Sequence, residues 1–178
     1  MERLVNDLLR LARLDARQEA LDLATCDVRQ LFGGAVADLL PTIESKRQHV
    51  VIEVADDAAA VTADAAKLHD VMRNLLENAV NYSPDGAAIT LRSARAESAI
   101  ELTVADSGPG IPAADLGRVF ERFYRVDKSR SRPGTGLGLA IVKHLVELHG
   151  GTATAANAPT GGAVFTITLP VRPLAATA

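Results

Sequence analysis

The middle of the chain holds asparagines at a spacing that could do chemistry. Asn74, Glu77, Asn78 and Asn81 stand at i, i+3, i+4 and i+7, so on a helix all four project from one face. A solvated helix face is ordinarily built from Lys, Glu, Arg and Gln, and an interior asparagine costs up to about 0.7 kcal/mol against alanine. Three on one face point to a task, the alternative being a wet surface of poor helix formers. An asparagine amide oxygen is a hard, neutral donor. It suits a Mg2+ ion that keeps several waters and takes its remaining oxygens from a nucleotide's phosphates.

Two glycine turns follow. Asp106-Ser107-Gly108-Pro109-Gly110 sets a carboxylate beside a turn. A carboxylate accepts hydrogen bonds of the kind adenine's exocyclic amine donates, and Gly108 and Gly110 would let backbone approach a flat base with no Cβ in the way. Taken alone, the motif also reads as an ordinary turn. Gly134-Thr135-Gly136-Leu137-Gly138-Leu139 runs into an apolar helical pattern. Consecutive backbone N–H groups at a helix start form an anion site suited to phosphates, the alternative being a hinge before a helix. No Gly-Lys-Ser/Thr follows, which excludes a P-loop, and the Gly-x-Gly-x-Gly spacing with no preceding strand excludes the dinucleotide fingerprint. Between the turns lies Phe120-Glu121-Arg122-Phe123-Tyr124-Arg125, then a polar run containing Lys128, Arg130 and Arg132. Aromatic anchors followed by residues too polar to pack describe a lid whose cations face phosphates. Nucleic-acid binding by this run is the rival reading, and a formal charge of −3 with a pI of 5.8 supplies no wider basic surface for it.

The elements that must position these residues are legible from periodicity. Residues 65–82 form a helix capped by Asp64, with Leu68, Val71, Met72, Leu75, Leu76, Ala79 and Val80 as its apolar face, ended by Ser83-Pro84-Asp85-Gly86. Asp27 followed by Gln30 caps a second helix running to about residue 46. A third spans 137–149 and stops at Gly150-Gly151, and a short one is expected at 113–120. Brief alternation at 21–25, a strand at 49–54, a hairpin of 89–94 with 100–105, and strands at 152–156 and 163–169 complete the pattern. This order predicts an α+β fold, a two-layer α/β sandwich with helices on one face of a mixed sheet. Leucines at 4, 8, 11 and 14 make a short helical stripe that wants a partner.

At 178 residues and 48% hydrophobic, the chain can bury one core. Cys26 is its single cysteine, which excludes an internal disulfide and reads as a small buried hydrophobe. No apolar run approaches the roughly 18–20 residues that span a bilayer, and the first residues do not open a signal peptide. The polypeptide is expected to be soluble and cytoplasmic.

In order and spacing, these blocks resemble the catalytic ATP-binding domain of bacterial sensor histidine kinases, within the Bergerat-fold ATPase superfamily. Asn74-Leu75-Leu76-Glu77-Asn78-Ala79-Val80-Asn81-Tyr82-Ser83 looks like the family's N box, Asp106 to Gly110 its G1 box, Phe120 to Arg125 its F box, and Gly134 to Leu139 its G2 box. The resemblance covers residues 21–170. It implies the end of a dimerisation and phosphoacceptor hairpin helix with a linker over 1–20, the ATP-binding domain over 21–172, and a tail over 173–178. ATP and Mg2+ are the implied ligands. Asn78 would hold the metal, Asn74 would support the phosphate and metal site, Tyr82 would pack near adenine, and Asp106 would read its amine. Gly134, Gly136 and Gly138 would shape the phosphate loop together with Thr135 and Leu137, and Arg125 would approach the γ-phosphate. Glu77 sits where hydrolytic members keep a general base.

Two departures matter. Asn81 stands where many relatives hold Lys or Arg against the phosphates, a loss that Arg125 or Lys128 would have to compensate. No histidine fits the family's acceptor pattern: His49, His144 and His149 have no adjacent acid, and His69-Asp70 lacks the following proline. The resemblance therefore implies a kinase module that transfers the γ-phosphate to a histidine on a hairpin domain it does not contain, for relay to the acceptor aspartate of a response regulator. The parent protein is expected to be a membrane-bound homodimer and this fragment a monomer. A self-contained ATPase of the same fold and a nucleotide-sensing domain without catalysis are the competing functions.

Overall fold

The computed structural model describes residues 20–126 and 135–171. Its two long helices begin where the caps predict. Asp27 and Asp64 sit in extended backbone and accept the N–H three residues on, from Gln30 at 3.0 Å and Lys67 at 3.1 Å, satisfying donors that a helix start leaves orphaned. The helices are α1 (Val28–Ser45) and α2 (Ala65–Tyr82), joined by the shorter α3 (Gly138–Leu148).

The strands are β1 (Ala24–Asp27), β2 (His49–Val54), β3 (Ala60–Ala63), β4 (Ala88–Ala96), β5 (Ala99–Ala105), β6 (Thr152–Asn157) and β7 (Ala163–Pro170). β1 and β3 pair with each other. The rest form one sheet in the order β2-β4-β5-β7-β6, with β2 parallel to β4 and every other neighbour antiparallel. Strict alternation sends Ile89, Leu91, Ile100, Leu102, Val104, Phe165, Ile167 and Leu169 to one buried face. Thr90, Arg92, Thr103, Thr166 and Thr168 take the other. The helices cover the apolar face: the seven predicted positions of α2 are all buried and join Phe32 and Ala35 of α1 and Ile141, Val142 and Leu145 of α3 in one core. Each such side chain contributes roughly 1.5–3 kcal/mol on burial. The mixed-sheet sandwich read from the sequence is the fold that forms.

Both ends of α2 are pinned. At its start, His149 donates from Nδ1 to the Leu145 carbonyl at 2.7 Å and accepts the Asp64 N–H at Nε2, 3.1 Å away, which ties the end of α3 to the beginning of α2. At its end, Lys46 Nζ donates to the carbonyls of Val80 and Ser83, at 2.5 and 2.8 Å, and Gln48 Nε2 donates to those of Val80, Ser83 and Pro84. These side chains satisfy carbonyls that the helix cannot pair for itself.

Residues 113–120 depart from expectation. They form successive tight turns, Asp115 to Pro112, Arg118 to Asp115 and Glu121 to Arg118, each N–H to carbonyl at 2.8 Å, rather than a helix. Gly117 lies in the middle and only Val119 is buried, so neither propensity nor packing repays nucleation. The single turn Asp56–Ala58 and the strand β3 were too short to show a period. Cys26 is buried, and that burial pushes its thiol pKa up. The leucine stripe at 4–14 and the residues beyond 171 lie outside the described residues. Among the described residues, no helix is long and apolar enough to cross a membrane.

Candidate functional site

The polar face of α2, the turn after β5 and the start of α3 converge on one cavity of about 470 Å³, a size that suits a small ligand. Asn74, Glu77, Asn78, Asn81 and Tyr82 all line it, so the four positions that share a helix face in sequence share a wall in space, with Tyr82 one turn beyond Asn78. Asp106, Pro109, Gly110, Ile111 and Pro112 line it from the turn after β5, and Thr135, Gly136, Gly138 and Leu139 from the start of α3, with Gly138 beside Asn74.

The hydrogen bonds orient these groups. Asn74 Nδ2 donates to the Asp70 carbonyl one turn back, at 2.8 Å, which turns its Oδ1 towards α3. A Cβ on Gly138 would lie 3.1 Å from that oxygen, so glycine at the first position of α3 lets the two helices come this close. Asp106 is buried, and its Oδ1 accepts the N–H of Gly108 at 2.8 Å and of Ala163 at 3.1 Å. Its Oδ2 has no hydrogen-bond partner among the described residues and belongs to a side chain on the cavity wall. One oxygen anchors the carboxylate while the other remains available to a ligand donor.

Gly136 has φ of 72°, and a Cβ there would lie 2.8 Å from the Phe123 carbonyl carbon. Phe123 N–H donates to the Gly136 carbonyl at 2.9 Å, so the two segments flanking residues 127–134 meet backbone to backbone. Tyr124 reaches the cavity wall as well. Its hydroxyl donates to Asp115 Oδ1 at 2.5 Å, its ring lies 4.3 Å beneath the Arg118 guanidinium, and Arg118 pairs with Glu121 at 3.1 Å. The bond to Asp115 pushes the phenol pKa up.

Two predicted residues stand elsewhere. Gly108 lies behind the wall, where a Cβ would meet Asp106 Oδ1 at 2.9 Å and the Tyr82 carbonyl oxygen at 3.0 Å. Leu137 is fully buried in the core, and its N–H donates to Thr135 Oγ1 at 3.3 Å, so it anchors the loop rather than lining the cavity. Arg125 is on the wall; Lys128 and Gly134 lie outside the described residues. Sequence reasoning missed the apolar part of the lining, Val119, Ile111, Leu139 and Phe165, and the edge-to-face contact of Phe120 on Phe165 with ring centroids 6.2 Å apart. Their types are those of any core, and only tertiary packing brings them to the site. The cavity lining is thus divided between apolar side chains with a buried carboxylate and carboxamides with a glycine-opened helix start. That division matches a flat heterocycle joined to a polyanion.

Comparison with known proteins agrees. The family model for histidine kinase-, DNA gyrase B-, and HSP90-like ATPases matches residues 63–173. The probable sensor histidine kinase TcrY of Mycobacterium tuberculosis is 41% identical over 171 residues, covering 95% of this chain and 35% of that protein, so the chain spans about a third of such a relative's length. Among solved structures, full-length ShkA in complex with AMPPNP superposes with a TM-score of 0.86 at 30% identity, over 98% of this chain and 36% of that one. The mycobacterial sensor histidine kinase MprB gives a TM-score of 0.73 at 31% identity, over 85% of this chain and 99% of that one. The chain belongs to this ATPase family, and within it groups with the catalytic domains of sensor histidine kinases.

Proposed function

We propose that the chain binds Mg·ATP in this cavity and presents the γ-phosphate to a histidine on a hairpin domain of its parent protein, from which a response regulator's aspartate takes it. The observation that supports the reading best is the convergence of Asn74, Asn78, Asp106 and Gly138 on one cavity from segments far apart in the chain. Asp106 Oδ2 would accept the adenine amine, its partner oxygen being held by two amides. Asn78 would hold Mg2+, with Asn74 Oδ1 beside it; their neutral oxygens suit an ion whose remaining ligands are phosphate oxygens and waters. When bound, Mg2+ supplies charge neutralisation across the phosphates. The chain's own residues would do the rest: the start of α3 would offer its amides to the phosphates, Arg125 on the cavity wall would approach the γ-phosphate, and the apolar lining would exclude water from the base. The catalytic contribution is positioning of the phosphate for in-line attack. Residues 1–20 would belong to the hairpin and its linker, and 21–172 would be the ATP-binding domain. The parent would be a homodimer carried at the membrane.

Glu77 on the cavity wall supports a second reading, in which it polarises a water and the chain hydrolyses ATP alone. One experiment separates the two: γ-labelled Mg·ATP is supplied to the chain with and without a hairpin polypeptide carrying an acceptor histidine. Acid-labile label on the hairpin, with little free phosphate from the chain alone, is the expected result. Steady phosphate release without labelling would replace the kinase reading with the hydrolytic one.

A further inference from the structure

Asn157 ends β6, outside every motif that pointed to the nucleotide site, yet its side chain closes on the Asp106 turn. Its Oδ1 accepts the Ile111 N–H at 2.8 Å and its Nδ2 donates to the Ile111 carbonyl at 2.7 Å, across 46 positions of sequence. The carboxamide makes with Ile111 the paired contact that a neighbouring strand's backbone would make. Among the described residues, these two bonds are the hydrogen bonds that tie Ile111 to the sheet. Gly110, with φ of 76°, fits against the clamp, since a Cβ there would lie 2.8 Å from Asn157 Oδ1. The same β6–β7 hairpin also holds the carboxylate: the Ala163 N–H binds Asp106 Oδ1, the Asp106 N–H donates to the Ala163 carbonyl at 2.9 Å, and Gly162 packs where a Cβ would strike the Asp106 carbonyl oxygen. One hairpin thus sets both the Asp106 carboxylate and the stretch of cavity wall formed by Pro109, Gly110 and Ile111.

We propose that Asn157 is a positioning residue that sets base selectivity, by fixing the distance between the Asp106 carboxylate and that wall. The inference rests on the nucleotide reading above. A 6-amino purine meets Asp106 Oδ2 with a donor, whereas a 6-oxo purine in the same pose meets it with an acceptor. Guanine escapes this repulsion only by sliding until its N1–H and 2-amino donors face the carboxylate. A wall pinned through Ile111 forbids the slide, and a wall released from Asn157 permits it. Discrimination therefore depends on a residue that touches no base.

The test measures Mg·ADP and Mg·GDP binding calorimetrically for the whole chain, for Asn157→Asp and for Asn157→Ser. Asn157→Asp keeps the size and the Ile111 N–H acceptor but turns an oxygen towards the Ile111 carbonyl; Asn157→Ser is too short for either bond. Loss of two neutral, solvent-exposed hydrogen bonds is expected to weaken ADP about tenfold while GDP affinity holds or rises, so the selectivity ratio falls at least as far. A merely structural role lowers the folded fraction and leaves that ratio at its wild-type value, which would overturn the inference alone. A wild-type chain that binds neither nucleotide would overturn the nucleotide reading and this inference together. Hydrogen exchange on the wild-type chain tests the clamp without any variant: a protected Ile111 amide is expected, and exchange at the unprotected rate would refute it.

Discussion

The site's chemistry resides in a few side chains whose spare atoms are set by their neighbours. Asn74 uses its amide nitrogen on Asp70 and Asp106 uses one oxygen on two amides, so each presents a single oriented oxygen. Asn78 has the most exacting proposed role. Asn78→Ala is expected to abolish Mg2+-dependent nucleotide binding while stability stays within about 0.5 kcal/mol, because the side chain lies on a cavity wall and not in the core. Calorimetric titration with and without Mg2+, beside a denaturant melt, checks both halves. Asn81 offers the opposite experiment. Asn81→Lys puts a cation on the wall proposed to face the phosphates, and ATP affinity is expected to rise about three- to tenfold, the gain shrinking as salt is raised. An unchanged affinity would mean that position 81 does not face the phosphates. At this scale the sequence was legible in position, since Asn74 and Asn78, read from helical spacing, and Asp106, read from its glycine turn, all reach the cavity wall. Asn157 and Phe165 were silent because their roles exist only through partners far along the chain.

The element that matters most is α2, held at its start by Asp64 and His149 and at its end by Lys46 and Gln48. Burial raises the Asp64 carboxyl pKa, but the Lys67 ammonium and N–H, with the Asp22 N–H, outweigh it and hold the group below the usual carboxylate range. Asp64 therefore stabilises the fold fully above the ordinary carboxyl range, about pH 4, and that stability disappears as pH falls through its lowered folded value. Asp64→Asn, which keeps a cap, is expected to flatten the acid arm of the stability curve. Asp64→Ala is expected to cost about 1–2 kcal/mol at neutral pH, and urea melts across pH 3–7 distinguish the variants. Gly136→Ala, at φ 72° against the Phe123 backbone, is expected to destabilise by more than about 1 kcal/mol and to weaken ATP binding, which a melt and a titration on one sample would read. Helix ends were legible because a cap is a contact between residues three apart. The turns at 113–120 were not, since their apolar residues carry a helical hint that Gly117 and poor burial overrule.

Over the whole molecule, the cavity lies where α2, the β5 turn and α3 meet, so a ligand there binds the folded state alone. Mg·ATP at a hundredfold excess over its dissociation constant is expected to add about 2.7 kcal/mol and to raise the melting temperature by about 5–10 °C for a chain of this size. Scanning calorimetry checks this, and the shift should be absent from Asn78→Ala. Such a response would also show that the three segments act as one site. By itself the sequence determined the helices and their caps, the alternating strands, the carboxamide face and the two glycine turns, because each is encoded within a few residues by backbone preference and periodicity. Only the tertiary structure decided that Leu137 and Gly108 support the cavity instead of lining it, that Val119, Ile111, Leu139 and Phe165 make part of its lining apolar, and that Asn157 reaches back to Ile111. The last of these depends on strand order: β7 lies between β5 and β6, and contacts between segments distant in the chain leave no periodic trace in either of them.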